Sequence, residues 1–113
     1  MQSNTQKNNP ANQYDVIVLG AGAAGLMAAI TAASRNRSVL VVEKSNKIGK
    51  KILMSGGGKS NFTNTSIEFD NFISQNPHFC KSALSRYTAF DFIKLVEKHK
   101  IEYEERKDHQ LFC

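Results

Sequence analysis

Hydrophobic residues form short uninterrupted runs near the start of the chain. The first run, VIVL at residues 16–19, ends a strand predicted at residues 14–19, and the second run, at residues 39–42, reads VLVV. Such continuous runs predict parallel strands that other elements cover on both faces. An alanine-rich segment between them predicts a helix at about residues 23–34. Strand, helix and strand in this order predict a βαβ unit and an α/β fold.

The hydrophobic pattern after residue 64 predicts shorter and more varied elements. A short helix is predicted at about residues 78–86. Thr88 stands three residues before an aspartate, a weak form of the capping box, and a helix with one apolar face follows at residues 89–98. Residues 101–104 alternate as a half-buried strand does, and another strand is predicted to begin at residues 111–112.

Three glycines follow the first predicted strand with the spacing of a dinucleotide-binding turn. Gly20 lets the chain turn sharply, Gly22 leaves room for a phosphate, and Gly25 lets the helix pack against the strand. The backbone N–H groups at the start of the helix, including those of Ala23 and Ala24, would point at the phosphates. The strand before this turn and the helix after it make the motif more specific than its glycines alone.

Glu43 stands at the end of the second predicted strand, where dinucleotide-binding domains place an acidic residue. A carboxylate there can accept hydrogen bonds from a ribose diol, and it would repel a 2′-phosphate. NADP is therefore disfavoured at this site, although Lys44 next to it weakens the inference. An NAD-binding dehydrogenase domain is therefore one class of protein that fits this site.

Residues 44–59 contain five lysines, no acidic residue and three consecutive glycines. Such a lysine cluster could bind nucleic acid, could bind the phosphates of a cofactor, or could simply be a solvated face. The glycines follow Ser55, and a run of three costs considerable backbone entropy on folding. Hydrophobic and amide side chains flank them, which favours a ligand loop over a flexible linker.

Composition narrows the class of protein. The 113 residues suit a single small domain, with residues 1–13 predicted to be a disordered polar tail. No run of about 20 apolar residues and no secretory signal is present, so we expect a cytoplasmic protein without a membrane partner. The two cysteines and three histidines have no metal-ligand or relay spacing. Neither a metal site nor a catalytic residue is assigned.

Residues 47–64, KIGKKILMSGGGKSNFTN, resemble the signature of the HI0933-like (BaiN-type) FAD-dependent oxidoreductases, also described as aminoacetone oxidase-like flavoproteins. The glycine turn, Glu43 and Gly49 fit the longer fingerprint of two-dinucleotide-binding flavoproteins, and residues 82–113 are similar to the segment that follows in the family. The resemblance implies the N-terminal part of a Rossmann-like, doubly wound α/β FAD-binding domain of the GR2 type at residues 14–113.

The resemblance implies FAD as the cofactor, with NAD(P)H as an electron donor for the complete protein. The adenosine ribose would lie at Glu43, the pyrophosphate over residues 22–25, and the flavin along residues 55–61. The implied cofactor-binding residues are Gly20, Gly22, Ala23, Ala24, Gly25, Glu43, Lys44, Gly49, Lys51, Ser55, Gly56, Gly57, Gly58 and Asn61.

This sequence departs from the family pattern at a few positions. Lys59 and Ser60 stand where the family usually has Arg-Cys or Lys-Cys, so no role of that cysteine can be carried over. Asn36 and Lys100 replace glycines that commonly end the helices, which should cost little stability.

Family members are much longer than this chain, so we expect it to contain only the first part of the FAD domain. An open parallel sheet without its other half leaves an unpaired strand edge and an uncovered apolar face. The expected partners are a small-molecule substrate, which the sequence does not identify, and the missing C-terminal part of the fold, but no nucleic acid. A non-catalytic truncated fragment is the alternative.

Overall fold

The computed structural model describes residues 12–113, so residues 1–11 of the predicted tail lie outside the described residues. The chain divides into two compact units, Met1–Leu53 and Met54–Cys113. The predicted extent of the domain, residues 14–113, stays a prediction.

The first unit is the predicted βαβ arrangement. Strand β1 (Val16–Leu19) is followed by helix α1 (Ala23–Ser34) and strand β2 (Val39–Val42). The two strands pair in parallel, in a register that joins the first residues of both strands to each other and the last residues to each other. The α/β class and the parallel pairing predicted from the hydrophobic runs are confirmed.

Strand β1 is covered on one face only. Val16 and Val18 are half-buried on the side where α1 packs, whereas Ile17 is 57% exposed and Leu19 is 81% exposed. The covering of both faces that the apolar run predicts is therefore wrong for this unit, whereas the uncovered apolar face expected of a sheet without its other half is present. The reason is that a single long helix packs on a two-stranded sheet, which leaves the opposite apolar face in solvent.

The ends of two helices show why glycine is common there. Asn36 and Lys100 both adopt left-handed backbone conformations, with φ of 59° and 55°. Behind α1, the Asn36 N–H donates to Ala33 O at 3.0 Å and the Arg37 N–H to Ala32 O at 3.2 Å. These bonds close the last turn of the helix as a C-terminal cap does.

The second unit combines a small antiparallel sheet with helices. Its sheet has the order β3–β5–β4, formed by β3 (Asn61–Asn64), β4 (Glu104–Glu105) and β5 (Gln110–Phe112). Helix α2 (Lys50–Met54) belongs to the first unit except for its last residue. The helices of the second unit are α3 (Lys81–Arg86) and α4 (Ala89–Lys98), with short 3₁₀ turns at Ser55–Gly58, Phe69–Asn71 and Lys107–His109.

The core of the second unit lies between the sheet and α4. Val96, Leu111 and Phe112 are buried. The Phe62 ring meets the rings of Phe92 and Tyr103 edge-on, with centroid distances of 5.7 and 5.6 Å. Edge-to-face aromatic contacts of this kind add stabilisation beyond the apolar area that they bury.

The capping box predicted for α4 is confirmed. Thr88 Oγ1 accepts a hydrogen bond from the Asp91 N–H at 3.2 Å, and Asp91 Oδ2 accepts one from the Thr88 N–H at 2.8 Å. These reciprocal bonds satisfy two backbone donors that the first turn of a helix leaves unpaired.

Two predicted elements differ from the structure. Residues 101–103 are not a strand, because the Ile101 N–H still bonds to Val96 O at 3.2 Å and the Tyr103 hydroxyl donates to Glu97 at 2.8 Å. Both bonds tie this segment to α4, so pairing begins only at β4. Helix α3 likewise begins later than predicted, because Asn76 Oδ1 accepts from the His78 N–H at 3.0 Å and holds a turn there.

None of the helices within residues 12–113 has both the length and the apolar character that crossing a bilayer requires.

Candidate functional site

The glycine turn of the first unit depends on two glycines for its shape. Gly20 has a φ of +99°, a conformation that other residues rarely adopt, and its N–H donates to Val42 O at 2.7 Å. At Gly25, an added Cβ would stand 1.9 Å from Gly20 O. Helix α1 can therefore approach the turn this closely only because residue 25 has no side chain.

The start of α1 offers backbone donors without acceptors. Gly22 is the N-cap, no side chain caps the helix, and the first helical bond joins the Leu26 N–H to Gly22 O at 2.9 Å. Within the described residues, the N–H groups of Ala23, Ala24 and Gly25 have no hydrogen-bond acceptor. A Cβ built on Gly22 meets nothing within 4 Å. Free donors, the positive end of the helix dipole and open space together fit a phosphate group.

Ala21 joins the separate parts of this region through its backbone. It is 1% exposed. Its N–H donates to Glu43 Oε2 at 2.8 Å, and its carbonyl oxygen accepts from the Gly49 N–H at 2.7 Å. The glycine turn, the end of β2 and Gly49 are thus held together at one residue. Sequence reasoning missed Ala21, and the only available signal was its place between two motif glycines.

Glu43 is fixed by backbone donors on both sides. Its Oε1 accepts from the Ser45 N–H at 2.9 Å, and its Oε2 accepts from Ala21. These bonds, that from Ser45 first and that from Ala21 second, lower the pKa of the Glu43 carboxyl below its usual value. The group therefore stays ionised at neutral pH. An ionised carboxylate with lone pairs to spare can accept a hydrogen bond from a sugar hydroxyl.

Glu43→Gln should separate this carboxylate from the rest of the turn. Glutamine places an NH₂ group against one of two N–H donors, so we expect ADP affinity to fall about tenfold or more. Because the folded-state pKa is lowered, the stabilisation by Glu43 is present above its unfolded-state pKa and is lost as pH falls through its folded-state pKa. The difference in urea midpoint between wild type and Glu43→Gln should thus shrink from pH 7 to about pH 3.

Glu102→Gln is the matched control, because Glu102 is exposed and belongs to the second unit, outside this turn. The Glu43 prediction fails if the two variants bind ADP equally, or if the difference in urea midpoint between wild type and Glu43→Gln is the same at both pH values.

Gly49 and the neighbouring lysines differ in burial. Gly49 is buried with a φ of +62°, which favours glycine at this position. Lys44 and Lys51 are exposed, and neither forms a salt bridge within the part of the chain that the structure describes. Both lysines remain candidate phosphate ligands of the first unit.

In the second unit, the three consecutive glycines serve different purposes. A Cβ at Gly56 would lie 2.6 Å from Asn61 N and 2.9 Å from a ring carbon of Phe112, so this glycine is required by packing. Gly57 and Gly58 have φ of +66° and +87°, and a Cβ on either meets nothing within 4 Å. Their positive φ and open surroundings would let a ligand approach the backbone.

Backbone hydrogen bonds close the loop of residues 55–60, here called the glycine loop, next to β5. The Ser60 N–H donates to Ser55 O at 3.0 Å, and Ser60 O accepts from the Cys113 N–H at 3.3 Å. Ser60 itself has a φ of 46°. The structure thus brings Ser55, Gly56 and Asn61 together within the second unit, and the glycine turn, Glu43 and Gly49 together within the first.

No cluster of three or more metal-ligating side chains occurs among residues 12–113. His109 lies 3.0 Å from Glu105, and both side chains are largely exposed. Neither residue lies in the glycine turn or in the glycine loop.

Comparison with known proteins identifies the family. The model of the HI0933-like protein Rossmann domain matches residues 14–113. The chain belongs to this family. The Rossmann fold predicted from the sequence is thereby confirmed, as is the resemblance to HI0933-like proteins.

Curated relatives of this HI0933-like chain include two proteins named ribosomal RNA dihydrouridine synthase. The Escherichia coli protein is 52% identical over 89% of the chain and 25% of its own length. The Haemophilus influenzae protein is 55% identical over 90% of the chain and 26% of its own length. A 3-dehydro-bile acid delta(4,6)-reductase from Clostridium scindens is 35% identical over 62% of the chain and 18% of its own length. The chain thus spans about a quarter of the length of the first two relatives.

Proposed function

We propose that the chain forms the part of a flavin-dependent oxidoreductase that binds the ADP half of FAD. Gly22 would leave space for the pyrophosphate, the N–H groups of Ala23 and Ala24 would donate to it, and Glu43 would accept hydrogen bonds from the adenosine ribose. The chemistry supplied by a bound flavin is two-electron oxidation or reduction.

One arrangement supports this proposal more than any other feature. Three N–H groups at the start of α1 have no acceptor among residues 12–113, and an ionised carboxylate follows the neighbouring parallel strand. The two are linked through Ala21, so donors for a phosphate and an acceptor for a ribose are held in one rigid turn. Ligands of α/β sheets bind outside the carboxyl ends of the strands, which is where this turn lies.

Ligand competition tests which half of the cofactor is bound. Isothermal titration calorimetry of the purified chain should show that FAD and ADP compete for one site. FMN contains the flavin and a phosphate but no adenosine, so we expect no competition from it. Competition by FMN as strong as that by ADP would overturn the proposal.

The alternative of an NAD-binding domain is tested by the same titration. Both cofactors contain ADP, but the loop at Ser55–Gly58 has no function in a simple NAD site, so FAD should bind more tightly than NAD. Tighter binding of NAD than of FAD would exclude the flavoprotein proposal.

We also propose that further polypeptide completes the FAD site, because the chain spans about a quarter of the first two relatives. The chain by itself should therefore lose FAD during gel filtration. Retention of one FAD per chain would contradict this and would show that residues 1–113 suffice.

For the complete protein, we propose the formation of dihydrouridine in ribosomal RNA. Identity of 52% and 55% to proteins of that name supports this substrate over the bile acid of the relative at 35% identity, and over the BaiN-type or aminoacetone oxidase-like activity that the sequence suggests. Converting uridine to dihydrouridine is a two-electron reduction, which suits a flavin. This proposal replaces the expectation, made from the sequence, that the protein has no nucleic-acid partner. A ribosomal-RNA substrate agrees with the predicted cytoplasmic location.

Deletion of the gene that encodes this chain decides between these substrates. Mass spectrometry of nucleosides from ribosomal RNA should then show loss of dihydrouridine, and restoring the gene should bring it back. An unchanged dihydrouridine content would overturn the ribosomal-RNA proposal and leave FAD binding untouched.

A further inference from the structure

The stretch that runs from the end of β2 into the first turn of α2 carries a concentrated positive charge. Residues 44–51, here called the lysine segment, hold four lysines and no acidic residue, and all four side chains are exposed. None of them forms a salt bridge with a carboxylate of the described chain. Lys44 and Lys51 are candidate ligands of the cofactor, whereas Lys47 and Lys50 are not among the cofactor-binding residues that the family resemblance implies.

The acid nearest in sequence does not neutralise this charge. Glu43 directs its two carboxylate oxygens to the N–H groups of Ala21 and Ser45. Its position is set by these backbone bonds and not by an ion pair with a lysine. The four ammonium groups therefore remain available to an external anion.

The backbone of the lysine segment is anchored at both ends and in the middle. Ser45 bonds to Glu43 through its N–H, and its hydroxyl donates to Lys47 O at 2.8 Å. Gly49 bonds to Ala21 O, and the Leu53 N–H donates to Gly49 O at 3.0 Å. A fixed backbone reduces the entropy lost when the lysines bind a ligand, which favours a binding surface over a mobile solvated loop.

We propose that the lysine segment is an RNA-docking surface, in which Lys47 and Lys50 bind backbone phosphates of the ribosomal RNA. This inference rests on the ribosomal-RNA substrate proposed above. A ribosomal RNA is a dense polyanion, and unpaired lysines held near the cofactor turn would bring it to the oxidoreductase. Phosphate contacts of this kind position a nucleic acid without reading its sequence.

The test is binding of a fluorescein-labelled synthetic RNA stem-loop to the full chain, followed by fluorescence anisotropy at about 50 mM and about 200 mM salt. Neutralising Lys47 and Lys50 together (K47Q/K50Q) should lower affinity about tenfold or more at the lower salt. The slope of log affinity against log salt should become shallower by about 1.5, as expected for two lost phosphate contacts. The matched control K94Q/K98Q removes the same charge from exposed positions of α4 and should bind RNA within about twofold of wild type.

K47R/K50R distinguishes lost charge from lost structure, because arginine also binds phosphate. It should bind RNA as wild type does, and its failure to bind would overturn the proposal. Equal RNA binding by K47Q/K50Q and K94Q/K98Q would also overturn it. Loss of FAD affinity in K47Q/K50Q with RNA binding intact would likewise overturn the proposal. Binding of the chain to anionic phospholipid vesicles in place of RNA would also overturn it. FAD titration of the same variants tests the cofactor proposal separately.

Discussion

Gly25→Ala is expected to lower the free energy of unfolding of the chain by about 3 kcal/mol or more. The new methyl would lie 1.9 Å from Gly20 O, and its other close neighbours are Gly20 C at 3.0 Å and Val18 Cγ1 at 3.3 Å. Two of these atoms belong to the backbone of the turn, so relief requires α1 to move away from β1. Overpacking of this kind commonly lowers the free energy of unfolding by about 1–3 kcal/mol. A clash with backbone atoms should cost at least the upper value, because the backbone cannot move aside as a flexible side chain can.

Urea unfolding followed by circular dichroism measures this loss. Helix propensity alone predicts the opposite sign, since alanine is about 1 kcal/mol better than glycine inside a helix. Ala33→Gly, at the exposed far end of α1, is the control and should cost only about that propensity difference. A Gly25→Ala variant that is as stable as wild type would show that α1 does not pack this closely on the turn.

Gly22→Ala is expected to weaken ADP and FAD binding about 10- to 100-fold while leaving the fold intact. Gly22 has a φ of −83° and a ψ of −172°, which alanine adopts readily, and an added Cβ meets no protein atom within 4 Å. That space is where a phosphate would approach the free N–H groups of α1. Losing one charge-assisted hydrogen bond, worth about 1.5–3 kcal/mol, corresponds to this range of affinity.

Calorimetric titration with ADP measures the binding loss, and urea unfolding measures stability in parallel. The free energy of unfolding of Gly22→Ala should fall by no more than about 1 kcal/mol. The one expected cost is that alanine is a poorer N-cap residue than glycine. Ala33→Gly has a comparable stability cost and should bind ADP as wild type does. If Gly22→Ala binds ADP normally, the phosphate does not lie over this residue and the proposed site is wrong.

The contrast between these glycines bears on how far a motif can be interpreted. Both belong to one G-x-G-x-x-G pattern, yet one is required by packing inside the protein and the other leaves space outside it. The glycine loop of the second unit repeats the distinction, since Gly56 faces Phe112 whereas Gly57 faces open space. Each pattern therefore combines a folding requirement with a candidate ligand contact.

Local sequence signals predicted most of the regular elements. The apolar runs predicted β1 and β2, and the capping box predicted α4, because these signals lie within a few neighbouring residues. The strand predicted at residues 101–104 was wrong for residues 101–103, since pairing begins only at Glu104. Its alternating pattern was outweighed by bonds to α4, which connect residues that only the folded chain brings together.

The amino-acid sequence by itself determined the βαβ order, the glycine spacing, the acid at the end of β2 and the family. Each of these depends on residue types that are close together in the sequence, so side-chain chemistry and backbone freedom can be recognised directly from the residues present. Only the tertiary structure revealed that Ala21 joins Glu43 to Gly49, because Ala21 contributes only its backbone N–H and carbonyl groups, which nearly every residue type has. Only the tertiary structure, likewise, separated the roles of Gly22 and Gly25, since each role depends on which atoms of distant residues come within contact distance.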